Sequence, residues 1–114
     1  MGRLMISFST EHQEQGVVVL SVIGEVDLHT GPELRSAVRA ALTDPQTRQV
    51  RVDLAGVSFM DSTGVSALVG GHGEAQERGI TLVVANPQPH VSKVLRIVGL
   101  DKVLGVTSDS AGGG

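Results

Sequence analysis

Apolar residues recur along the chain in two rhythms, and the switches between them mark out its elements. "VVVLSVIGEV" (17–26) is an almost unbroken β-branched run and reads as a strand inside a sheet. Ahead of it, Leu4, Ile6 and Phe8 alternate with Met5 and Ser7, which predicts a weaker N-terminal strand. Residues 13–16 carry polar and glycine turn chemistry, so the two strands are expected to form a hairpin. The period then lengthens. Leu34, Ala37, Val38, Ala41 and Leu42 fall at helical spacing on one stripe. Thr30 and Glu33 have capping-box spacing at its start, and Asp44-Pro45 ends it.

The same alternation continues downstream. "VRVDLAG" (50–56) reads as a strand ending at glycine, and Val65, Leu68 and Val69 open a helical face that reaches Arg78. "ITLVVA" (80–85) is the continuous apolar run expected of a parallel strand covered on both faces. Pro87 and Pro89 interrupt the chain. Val91, Val94, Leu95 and Val98 then predict a third helix closing at Gly99, and "KVLGVT" predicts a last short strand. The order β-β-α-β-α-β-α-β implies an α/β fold: one small domain with a mixed, mostly parallel sheet of four to five strands and helices packed against it. The domain is expected to occupy 1–108, with 109–114 as a flexible tail.

Composition narrows the function. The chain has 114 residues, enough for one domain, and 40% are hydrophobic against 18% charged, which supports a packed core. Net charge is −3, and Phe8 and Phe59 are the only aromatic residues. Nucleic-acid binding calls for a cationic surface, usually with stacking aromatics, so nucleic acid is set aside as a partner. The absence of cysteine removes disulfides and thiolate chemistry. No apolar run approaches a signal peptide or a membrane span, so a cytoplasmic location without a membrane partner is expected. Acids are dispersed and no two histidines share ligand spacing, so neither a metal nor a cofactor is expected.

One stretch departs from these rhythms. In "FMDSTGV" (59–65) an apolar pair runs into an acid, two hydroxyls and a glycine before the apolar pattern resumes. A helix start needs a cap, and Asp61 or Ser62 would serve. One cap uses one side chain, which leaves a hydroxyl over, and Gly64 would open the backbone to another surface. A phosphate on that serine would add about −1.5 to −2 charges at a helix N-terminus, where anions are tolerated. The domain would stay folded while its surface changed sign. An alternative is a serine hydrolase drawing a base from His29, His72 or His90 and an orienting carboxylate from Asp27. The serine lies in D-S-T-G rather than G-x-S-x-G, which counts against that alternative. Arg35 and Arg39, one turn apart, read as a solvated face or a contact for an acidic partner. Gly70, Gly71 and Gly73 are expected to weaken the second helix.

"GEVDLHT" (24–30) and "VRVDLAGVSFMDSTGV" (50–65), with their spacing, resemble the STAS domain of bacterial anti-sigma factor antagonists. The resemblance runs from Met5 to Val106. It implies Ser62 as phosphoacceptor, with Thr63 as second choice because it stands where a second serine is commoner. It also implies a partner-binding surface of Asp27, Asp61, Ser62, Thr63 and Gly64. The implied partner is an anti-sigma factor that is itself a serine kinase, bound by the unphosphorylated protein so that a sigma factor is released. A serine phosphatase would reverse the modification. The implied alternative within the family is a constitutive interaction or scaffold module. No catalytic residue is implied.

Overall fold

The computed structural model describes residues 6–106. Strand β1 (Ser7–His12) turns through a short 3-10 segment (Glu14–Gly16) into β2 (Val17–Val26). Helix α1 (Gly31–Leu42), strand β3 (Gln49–Met60), helix α2 (Ser62–Glu77), strand β4 (Thr81–Ala85) and helix α3 (Pro89–Ile97) follow. The sheet order is β1-β2-β3-β4, antiparallel between β1 and β2 and parallel thereafter. This is the expected α/β architecture, with four strands and three helices. Leu4, Met5 and the tail assigned to 109–114 lie outside the described residues.

The core gathers where the apolar positions predicted it. Leu34, Val38 and Leu42 of α1 are buried against Val50, Val52 and Leu54 of β3 and their neighbours in β2 and β4. The hairpin turn is tight because Gln15 and Gly16 both take positive φ, 63° and 77°. Pro89 sits in the first turn of α3, where its missing N–H costs nothing, and Gly99 (φ 77°) follows its end.

Four expectations are corrected. Thr30 does not form a capping box: its backbone is helical (φ −100°, ψ −15°), and its hydroxyl bonds back into the preceding loop. Strand β3 does not end at Gly56 but continues to Met60, because two register shifts against β2 each insert one extra residue in β3. Core-facing positions therefore run 50, 52, 54, 57, 60, and strict alternation is lost at each insertion. Val69 and Val98 are exposed, and α2 presents Gly64, Ala67, Leu68, Gly71 and Ala75 to the core instead. "KVLGVT" forms no strand over its described part. Residues 101–105 are turns, with fully buried Leu104 as anchor and its carbonyl accepting from Val84 N–H at 3.2 Å. Gly70 and Gly71 are also packing positions in α2: a Cβ would come 2.8 Å from Arg35 Nε at the first and 2.8 Å from Val38 Cγ1 at the second.

Candidate functional site

Parallel strands β2 and β3 finish level, with Val26 opposite Met60, and the next residue of each is an aspartate. Asp61 N–H donates to the Val26 carbonyl at 3.1 Å, tying the two strand ends together. Asp27 and Asp61 therefore stand on adjacent strand ends, on the side where ligand and partner sites of open α/β sheets collect.

Asp61 is the cap of α2. Its backbone is extended (φ −105°, ψ −167°), and its Oδ1 accepts from Thr63 N–H at 2.8 Å. Its carbonyl accepts from Gly64 N–H at 3.0 Å and Val65 N–H at 3.2 Å. The capping requirement is thus met without Ser62. Ser62 is the first helical residue, is exposed, and its Oγ makes no hydrogen bond among the described residues. Thr63 is half-buried, with its methyl group pressed against Gly31 at the start of α1. The two residues therefore differ in exposure, Ser62 being the more open.

Gly64 is a tight packing position. It is buried, and a Cβ there would lie 2.5 Å from Met60 Cγ and 2.7 Å from Val26 Cγ1. The glycine lets α2 settle onto the strand ends.

Asp27 organises its own loop. Its Oδ1 accepts from His29 N–H at 2.9 Å and Thr30 N–H at 3.1 Å, while Thr30 Oγ1 accepts from Asp27 N–H at 2.9 Å and donates to the Glu25 carbonyl at 2.7 Å. The N–H groups of Thr30 and then His29 hold the Asp27 carboxyl below the usual carboxylate range. Leu28, between these polar residues, is 71% exposed. The loop offers an apolar tip beside two carboxylates and an unbonded hydroxyl at a helix N-terminus.

The STAS domain family model matches residues 9–112. This chain belongs to the STAS family. An anti-sigma F factor antagonist of Lysinibacillus sphaericus is 31% identical over 82% of the chain and 80% of the relative. Among solved structures, an anti-sigma factor antagonist from Mycobacterium paratuberculosis superposes with a TM-score of 0.80 at 28% identity, over 95% of this chain and 89% of the other. The anti-sigma factor antagonist SpoIIAA in its unphosphorylated form gives 0.77 at 25% identity, over 93% and 90%. STAS antagonists are non-enzymatic binding proteins, and no hydrolytic triad is assembled around Ser62 among the described residues. His72 lies ten residues along α2, about 15 Å away at the helical rise, and its Nδ1 is buried without a partner. His90 stacks on Phe59 with ring centroids 6.1 Å apart, and His29 makes no bond to Ser62. No helix among the described residues is long and apolar enough to cross a membrane, and they contain no metal-holding cluster of His, Cys, Asp or Glu.

The STAS domain also contains a charge cluster that pattern reading missed. Arg35 and Arg39 of α1 and Arg78 at the end of α2 all bond the Glu74 carboxylate, at 2.8, 3.3 and 3.1 Å. The i,i+4 spacing of Glu74 and Arg78 was visible in the sequence; the reach from α1 was not. Arg35 is the leading cause that lowers the Glu74 carboxyl from 4.5 to about 2. A carboxyl with a depressed folded-state value stabilises the fold above its unfolded value and loses that contribution as pH falls. Urea midpoints should therefore drop between pH 4.5 and about 2, and Glu74→Gln should flatten that part of the profile. An unchanged profile in the variant would assign the acid sensitivity to other carboxylates.

Proposed function

We propose that this STAS domain is an anti-sigma factor antagonist switched by phosphorylation of Ser62. In its unmodified form the surface around Ser62, Asp27 and Asp61 binds an anti-sigma factor that is a serine kinase, and a sigma factor is released. ATP and magnesium belong to the kinase; a serine phosphatase resets the switch. All of this takes place in the cytoplasm. The observation that carries the reading is an exposed, unbonded Ser62 hydroxyl directly behind a cap already supplied by Asp61. The names of the relatives and the solved neighbours support the antagonist role.

The physical logic is local. A phosphate at Ser62 adds about −1.5 to −2 charges at the first turn of α2, where backbone N–H groups favour an anion. It also joins two carboxylates on adjacent strand ends, so the surface becomes densely anionic without disturbing the buried side of the helix.

Incubation with a cognate serine-kinase anti-sigma factor, ATP and magnesium should add the mass of one phosphate. Ser62→Ala should abolish the addition and Thr63→Ala should retain it. Loss in Thr63→Ala alone would transfer the role to Thr63. Absence of any addition, with a stable complex formed, would favour the constitutive scaffold.

A further inference from the structure

We infer that the groove between α1 and α2 is a docking surface for an acidic segment of a partner protein, recognised by the arginine cluster on Glu74. This extends the Ser62 reading by naming where the partner continues past the switch and what chemistry it carries. The groove has a volume of about 570 Å³ and is walled by Arg35, Arg39 and Arg78 against Glu74 and Glu77, with Gly70 and Gly73 along its floor.

Three features make the cluster a receptor rather than only a clamp. The first is charge: three guanidinium groups face two carboxylates, leaving one positive charge over in a chain whose net charge is −3. The second is unused bonding capacity. Each arginine gives a single side-chain hydrogen bond to Glu74, out of five N–H donors in a planar fork suited to carboxylates. The third is preorganisation. The Glu74 side chain is only 15% exposed and holds the three forks in place, while those of Arg39 and Arg78 remain 58% and 42% exposed. Ordering three long side chains in advance removes part of the entropic cost of binding.

Shape selects a polypeptide over a small oxyanion. Arg35 is shared with a second hollow of about 260 Å³, lined by Gly31, Pro32, Thr63, Ser66 and Ala67. The two hollows adjoin at Arg35, one near the N-terminus of α2 and the other reaching Arg78. The second hollow is mostly apolar and the first is lined by the arginines, so a segment spanning both would place apolar contacts beside α2's first turn and acidic residues at the arginines.

The test uses the full chain and a fluorescein-labelled peptide of eight glutamates, followed by anisotropy at low salt. Saturable binding is expected, absent for an octalysine peptide, with affinity falling about tenfold in Arg39→Ala and rising in Glu77→Gln. Circular dichroism on each variant secures the fold. Phosphate addition at Ser62 is scored separately by mass on the parent chain, so failure of the docking surface (no peptide binding) and failure of the switch (no phosphate added) are told apart. Binding that is absent, or indifferent to Arg39 and Glu77, overturns the inference and leaves the arginines as an internal clamp. Displacement of the peptide by inorganic phosphate at lower concentration than by free glutamate overturns it in favour of a small-oxyanion site. Self-association that is lost in Arg39→Ala overturns it in favour of a second copy of the chain.

Discussion

Gly64→Ala is expected to destabilise the domain by about 1–3 kcal/mol, the usual cost of forcing atoms into a filled core. The added methyl would meet Met60 Cγ at 2.5 Å and Val26 Cγ1 at 2.7 Å. Neither neighbour has space to retreat: Met60 is 2% exposed, and Val26 is fully buried with a stiff, β-branched side chain. The intrinsic helical gain of alanine over glycine, up to about 1 kcal/mol, opposes this and should not reverse it. Nine residues on, the same substitution should have the opposite sign. A Cβ at Gly73 meets nothing within 4 Å, so Gly73→Ala should raise stability by about 0.5–1 kcal/mol. Paired urea titrations check both. Equal midpoints for parent and Gly64→Ala would mean that α2 can lift from the strand ends at no cost.

Ser62→Asp should weaken binding of the anti-sigma factor at least tenfold, about 1.4 kcal/mol, while leaving stability within about 0.5 kcal/mol of the parent. The small stability effect follows from position. Ser62 is exposed and forms no side-chain bond, and an acid in the first turn of a helix is favoured by the unpaired N–H groups there. The binding effect follows from a third negative group beside Asp27 and Asp61. Asp61→Ala gives the contrast, since loss of the bond to Thr63 N–H removes the cap and should cost about 1 kcal/mol. Isothermal titration with the partner and thermal melts of both variants separate the roles. If Ser62→Asp melted far below the parent, Ser62 would be a structural residue and its place in a switch would fall.

The legible parts of the sequence were those governed by simple periods. β2, α1 and β4 have one rhythm each and were read close to their ends, and the D-S-T-G stretch announced a helix start by its break in pattern. What escaped depends on contacts between distant segments. The Cβ position of Gly64 is filled by Met60 and Val26, neighbours supplied by the end of β3 and by β2. Thr30 had the right spacing for a capping box, but Glu25 and Asp27 drew its hydroxyl away into the loop. Arg35 and Arg39 read as a solvated face because Glu74 lies 39 and 35 residues away in the chain. The final helix-like turn carries a fully buried Leu104 in a segment whose β-branched residues resembled a strand.

The two extra residues in β3 also fix a distance. At Ser21 the partner across the ladder is Asp53, and with unbroken pairing Val26 would face Ser58. Met60 would then overshoot the end of β2 by two residues, about 6–7 Å at the strand rise. The inserted residues take up that length, so Asp61 arrives beside Val26, and Ser62 starts its helix next to Asp27 rather than a turn above it. The irregular strand works as a spacer, and the carboxylate pair flanking the serine exists because β3 is two residues longer than the path it covers.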